Sequence, residues 1–237
     1  MEKKSAWKKY SAAEVRKLDK LCDSYRDFLS VSKTERECVD YFVNEAEKAG
    51  YRELESLIGT KTKLKAGDKI YSVMMNKSIV LFQLGKRPIT EGMNILGAHL
   101  DSPRMDLKPN PLYEKADIAY LDTHYYGGIK KYQWVTIPLA MHGVVVKKDG
   151  TTIDICIGED EDDPVFFVSD LLIHLAADQM EKKGAKVIEG EALDLIVGNR
   201  PISIAPAAKG AKAKGEVKET KDAVKAGVLD ILKKQYD

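Results

Sequence analysis

Histidine and cysteine, the side chains that most often hold transition metals or attack substrates, are scarce in this sequence: four and three in 237 residues. Cys22, Cys38 and Cys156 are odd in number, far apart and form no C-x-x-C pair. That pattern excludes a disulfide framework and a structural zinc knuckle. Cys22 and Cys38 stand in helical patterns with no histidine nearby, so both are expected to be small buried apolar residues rather than nucleophiles. Charge of one sign is also lacking: 38 Lys and Arg against 37 Asp and Glu leave a formal net charge of +1, interspersed along most of the chain. Nothing in that balance argues for nucleic acid or an acidic surface as partner. Long apolar runs are missing too, since no stretch approaches the ~20 residues needed to span a bilayer. The start, Met1-Glu2-Lys3-Lys4-Ser5, has no apolar signal core. A cytoplasmic protein with no membrane partner is the expectation, and with 44% hydrophobic residues it has enough apolar material for one or two domains.

What is present begins with two capping boxes, Ser11-Ala12-Ala13-Glu14 and Thr34-Glu35-Arg36-Glu37, each predicting a helix start. Val15, Leu18, Leu21, Cys22, Tyr25 and Leu29 follow the first at helical spacing, and Cys38, Tyr41, Phe42 and Ala46 follow the second before a stop at Gly50. Both stripes read as core. Residues 69–75 and 78–84 read as a β-hairpin across Asn76-Lys77, and the apolar run 93–98 as a buried strand. After Pro109 the texture becomes short β-like runs at 134–139, 142–147 and 151–157. A helix is expected over 169–180, with Ser169 as N-cap and Leu171, Leu172, Leu175 and Ala176 as its apolar stripe. A strand at 193–197 follows. Residues 206–221 form an Ala, Lys and Gly mixture that reads as a mobile loop. Glutamates interrupt its lysines, Lys209, Lys212, Lys214 and Lys218, and no aromatics interleave, so it is no nucleic-acid patch. Helical spacing returns over 222–236.

The segment Gly97-Ala98-His99-Leu100-Asp101-Ser102-Pro103 carries the chemistry. It places a histidine and an aspartate, two positions apart, at the carboxyl end of the expected strand, where α/β sheets bind ligands. A neutral imidazole is a good metal ligand, and such ligands usually give their other ring N–H to a carboxylate or carbonyl that sets the tautomer. His99 is therefore a candidate zinc ligand and Asp101 its orienting partner. Among the remaining histidines, His124 and His142 lie in β-rich stretches with no carboxylate at ligand-like spacing and read as structural. Arg104 and Lys108 could meet a substrate carboxylate, but basic residues after a strand are commonly just solvated, and neither is chosen.

The stretch 95–109, Ile-Leu-Gly-Ala-His-Leu-Asp-Ser-Pro-Arg-Met-Asp-Leu-Lys-Pro, followed by Tyr125-Tyr126-Gly127-Gly128, resembles the aspartyl aminopeptidase family of dinuclear zinc aminopeptidases, in its bacterial branch. The resemblance runs through nearly the whole chain. It implies an α/β fold: residues 1–108 as the amino-terminal part of a zinc-exopeptidase catalytic domain, 109–221 as a β-rich inserted dimerisation domain, and 222–237 as a helix leading back. It implies a metalloaminopeptidase acting on peptide amino termini through two zinc ions, with His99 as metal ligand and Asp101 as the catalytic orienting carboxylate. It also implies that His174, in Asp170-Leu171-Leu172-Ile173-His174-Leu175, binds substrate in a neighbouring subunit's site; spacing alone makes it the flank of an amphipathic helix. Homo-oligomers, dimers building to dodecamers, are implied likewise.

The family's other carboxylates, its late histidine and its general base come from segments downstream of those seen here. The chain is therefore expected to be an amino-terminal part, inactive alone. The alternative is a non-catalytic oligomerisation scaffold derived from the family, and a further one is a site completed by a separate polypeptide. One departure concerns specificity: the aspartyl-selective branch has an Asp-Arg pair after its tryptophan, where this chain reads Trp134-Val135-Thr136-Ile137-Pro138.

Overall fold

Two reciprocal capping boxes start the long helices. In α1 (Ala12–Val31) Glu14 N–H donates to Ser11 Oγ at 3.3 Å while Ser11 N–H donates to Glu14 Oε2 at 2.8 Å. In α2 (Glu35–Lys48) Thr34 and Glu37 repeat the exchange at 3.3 and 2.8 Å. Two orphan donors are satisfied at each end, as predicted. After α2, Gly50 adopts φ of 84°, the left-handed conformation that ends helices. The computed structural model describes residues 4–201 and 222–236. It divides into two compact units, Met1–Ser102 and Pro103–Asp237. Among the described residues no helix is long and apolar enough to cross a membrane.

In the first unit β1 (Arg52–Glu53) runs parallel to β2 (Lys69–Met74), which pairs antiparallel with β3 (Ser78–Gln83) in the order β1-β2-β3. Lys69 faces Gln83 and Met74 faces Ser78, the hairpin read from the sequence. Helix α2 packs on β2 and β3, burying Cys38, Val39 and Ala46 of the helix with Ile70 and Tyr71 of the sheet. The stripe of α1 departs from expectation: Leu21, Tyr25 and Leu29 are exposed, as is Cys22, and only its last turns meet α2, where the Phe28 ring lies 5.0 Å from Tyr41 and 5.2 Å from Phe42. One neighbour covers one end of a long helix and leaves Leu21, Tyr25 and Leu29 largely in water, with Val15 and Leu18 half-buried.

The run 93–98 is not a strand. It carries no regular structure, no described strand pairs with it, and Ile95 and Leu96 are 79% and 100% exposed. A buried strand needs hydrogen-bonded neighbours and covered faces, and nothing described here supplies either.

The second unit is built on a hairpin that sequence reading missed. Strands β4 (Arg104–Lys115) and β5 (Ile118–Tyr126) are antiparallel, and they turn through Ala116 and Asp117, both left-handed at φ 52° and 58°. That turn chemistry carries no glycine or asparagine to announce it. The pairing register shifts between Leu107 and Leu112, where Pro109 and Pro111 cannot donate to the ladder. Strands β6 (Met141–Val146) and β7 (Thr152–Ile157) form a separate two-stranded sheet as expected, whereas 134–139 contributes only isolated bridges, Val135 to Val168 and Leu139 to Phe166.

The helix expected over 169–180 reduces to a single 3-10 turn at Ile173–Leu175 and the short α3 (Ala177–Met180). Leu171, Leu172 and Leu175 are 54%, 71% and 71% exposed. An amphipathic helix draws most of its stability from packing its face, and of this stripe only the small Ala176 is buried. Strand β8 (Leu195–Gly198) then completes the order β4-β5-β8, and α4 (Ala223–Tyr236) packs on that sheet. The loop expected at 206–221 lies outside the described residues.

Leu121, Val135, Val168, Ile188, Leu193 and Leu195 make the second unit's core, with Trp134 and Met141 packed against it. Thr123, 2% exposed, satisfies its hydroxyl by donating to the Leu193 carbonyl. Leu193→Ala is expected to destabilise this unit by about 2–5 kcal/mol, the cost of a cavity in a fully buried site. Urea unfolding followed by Trp134 fluorescence checks it; a loss below about 1 kcal/mol would show that the site collapses.

Tyr71 is buried, which pushes its phenol up, and its hydroxyl donates to Glu47 Oε1 at 2.8 Å, which pushes it further, to about 12. The folded form holds this proton through a range in which the unfolded chain has lost it, so the contribution is full below about pH 10 and is lost on rising to about 12. Absorbance titration near 295 nm should show a late alkaline step, to which Tyr113 also contributes, that shrinks by one tyrosine in Tyr71→Phe while the early step is unchanged.

Candidate functional site

The candidate metal-binding segment is a turn without regular structure that follows the exposed run 93–98. It is tied to α2 through the Cys38 thiol, which lies 3.8 Å from the Leu100 carbonyl; burial raises that thiol's pKa above the usual range, and Glu37 and Glu35 add to the shift. Cys38 is thus a neutral, inert side chain holding a loop.

The structure brings His99 and Asp101 together. His99 Nδ1 lies 2.9 Å from the Asp101 backbone carbonyl and 3.3 Å from its carboxylate Oδ1. Only the tautomer with hydrogen on Nδ1 can donate to these oxygens, and it leaves the lone pair of Nε2 for a ligand. The carbonyl is the nearer acceptor, so the backbone shares the orienting role that the sequence gave to the carboxylate alone. His99 is 84% exposed. An imidazole whose one nitrogen is engaged and whose ring faces solvent can offer the other to a metal ion.

The donor set stops there. Among the described residues no group of three His, Cys, Asp or Glu side chains is placed to hold a metal ion. A catalytic zinc typically takes three protein ligands and a water. The described residues therefore do not fit a complete zinc centre; they fit one ligand of it with its orienting group.

His174 lies in the second unit, exposed on the 3-10 turn Ile173–Leu175 rather than on the flank of a long helix. The histidines read as structural divide: His124 stacks on Tyr125 with ring centroids 5.6 Å apart, while His142 Nε2 lies 3.0 Å from Glu159 Oε1, a carboxylate that sequence spacing did not suggest because the β6–β7 turn brings it back. Arg104 and Lys108 are not simply solvated. Arg104 donates to Asp106 at 2.7 Å and lies over the Tyr126 ring at 4.2 Å. Lys108 is clamped between Glu191 at 2.8 Å and Asp122 at 2.9 Å, and the hydrogen bonds to Glu191 and then Asp122 raise its pKa above the usual lysine range.

The two sequence segments that carried the resemblance meet at the open end of the β4–β5 hairpin. Arg104 pairs with Tyr126, and Gly127, left-handed at φ 76°, sits so that an added Cβ would lie 3.6 Å from Pro103. Glycine there is a matter of backbone angle more than of space.

A family model described as aminopeptidase I zinc metalloprotease (M18) matches residues 28–237. The chain is 50% identical over 236 residues to a Clostridium acetobutylicum protein named "Probable M18 family aminopeptidase 1", covering 100% of this chain and 48% of that one. The crystal structure of an M18 aminopeptidase from Thermotoga maritima superposes with a TM-score of 0.82 at 39% identity, covering 100% of this chain and 47% of the other. A Saccharomyces cerevisiae mApe1 dodecamer shares the fold at TM-score 0.55 and 21% identity over 75% of this chain and 38% of its own. The chain spans about half the length of these two bacterial relatives and corresponds to their amino-terminal portion. The matched span takes in His99, Asp101 and both halves of the hairpin motif, and the chain belongs to the aminopeptidase I zinc metalloprotease family, M18.

Proposed function

We propose that this chain is the amino-terminal part of a metal-dependent aminopeptidase that removes residues from peptide amino termini, and that it contributes His99 as one metal ligand, with Asp101 setting the imidazole's tautomer and direction. The observation that carries the reading is the 50% identity along the whole chain to an M18 aminopeptidase, across a span that holds the paired His99 and Asp101. Residues 1–108 serve as the start of the catalytic domain and 109–221 as an inserted oligomerisation domain. With one imidazole, no catalytic step can be assigned to this chain alone, and it is inactive by itself. His174 serves a neighbouring subunit's site. The exposed Leu171, Leu172, Ile173 and Leu175 beside it, and the dodecameric assembly of a yeast protein of the same fold, support homo-oligomerisation through this domain.

A second reading, a non-catalytic scaffold, is favoured by one observation: the described residues hold no three-ligand cluster. Co-expression of the chain with the half of the C. acetobutylicum relative that it does not span separates the two. The chain alone should release no chromophore from amino-acid anilides, whereas the pair should do so in a chelator-sensitive way. His99→Ala should abolish that activity and Asp101→Asn lower it about 10–100-fold, the usual cost of losing a ligand's orienting partner. Turnover by the chain alone, or by the pair with His99→Ala, would sink the proposal; an assembled but inactive pair would favour the scaffold.

Two singly inactive forms, His99→Ala and His174→Ala, should regain part of the activity when assembled together, because mixed oligomers would unite an intact His99 with an intact His174 from another subunit. No recovery in verified mixed assemblies would rule out the action in trans.

A further inference from the structure

Away from the His99 loop, the first unit carries an open cavity of about 520 Å³ at the end of α2, lined by Arg52, Thr62, Lys63, Lys65, Asp68 and Lys69, the remainder being alanine and glycine. Four cationic side chains face one carboxylate there, in a chain whose cations and anions otherwise nearly cancel.

Part of that charge is already committed. Lys69 Nζ donates to the Ala49 carbonyl at 2.9 Å, where it suits the negative end of α2, and lies 5.4 Å from the Tyr51 ring centroid. Asp68 Oδ2 accepts the Lys65 backbone N–H at 2.8 Å and faces Arg52 Nη2 at a long 3.7 Å. One long contact leaves most of the guanidinium's five donors unused. Lys63 and Lys65 have no acidic partner among the described residues, and Asp68 is the one carboxylate of the lining. The unmatched charge therefore sits on Arg52, Lys63 and Lys65, with the Thr62 hydroxyl beside them.

We propose that this cavity binds a compact, multiply charged phosphate compound. A planar guanidinium flanked by two ammonium groups and a hydroxyl is the donor set that phosphate oxygens take up. The lining has no aromatic face on which a nucleobase could stack and no apolar wall for an acyl chain. The volume falls in the ~300–1,000 Å³ range of small-molecule sites, more room than one orthophosphate fills. All lining residues belong to the first unit, and none is among the residues proposed to serve the metal or the substrate.

Inorganic pyrophosphate titrated into the full chain at constant ionic strength, followed by backbone amide NMR, tests the site. Saturable shifts confined to residues 49–69 are expected, with orthophosphate binding at least about tenfold more weakly. The exposed pair Lys63→Gln and Lys65→Gln should raise Kd by about tenfold or more, and Arg52→Lys, which keeps the charge but loses the fork, by severalfold. Shifts of equal size around Lys233 and Lys234 of α4, or an unchanged Kd in the double variant, would reduce the effect to general electrostatics and overturn the site. Equal affinity for orthophosphate would overturn its selectivity for multiply charged ligands.

Discussion

Strand β5 can be buried because both of its edges are paired. β4 takes one side and β8 the other over residues 119–121, so Ala119 and Leu121 can leave water without orphaning their backbone groups, and the buried Thr123 follows them on the same face. The core of the second unit follows from this: Leu195 arrives on β8 with Leu193 just before it, Val168 bridges to Val135, and α4 packs on the sheet with Val224 2% exposed. Even the buried hydroxyl of Thr123 is satisfied by a carbonyl next to β8, that of Leu193. The same constraint explains what fails to form. The run 93–98 is apolar enough for a central strand, but among the described residues no strand pairs with it, and its side chains stay in solvent.

The chemistry of the His99 loop is local and incomplete in a way that makes physical sense. A neighbouring carbonyl and carboxylate can orient an imidazole within three residues of chain, because that needs only a tight turn. Gathering three or four donors around one ion needs several chain segments to converge. The described residues accomplish the first and not the second, in a chain that covers about half the length of its relatives. Cys38, buried and neutral, contributes by anchoring the loop to α2.

Much of this was legible beforehand because it is written in short-range chemistry. Ser11 with Glu14, Thr34 with Glu37, the hairpin of β2 and β3, and helix α4 are each fixed by neighbours a few residues apart. His99 and Asp101 are two positions apart, so their meeting also required no knowledge of the fold. The hairpin of β4 and β5 was hidden by the prolines in one strand and by the turn at Ala116 and Asp117, which uses left-handed backbone without the usual glycine. The α1 stripe and the 169–180 helix misled for a different reason: periodicity reports a face that can be buried, not whether anything lies against it. The pairing of His142 with Glu159 and the clamp on Lys108 join residues 17 and up to 83 positions apart, beyond the reach of spacing arguments.

By itself the sequence determined the helix starts, the short-range β2–β3 hairpin, the neighbouring His99 and Asp101 and the family to which the chain belongs, since these rest on residues close together or on motif identity. Only the tertiary structure decided which apolar stripes are covered, which lysines are matched by carboxylates and which remain free around the cavity at the end of α2. Burial and charge balance depend on what distant segments bring alongside, and no local pattern encodes that.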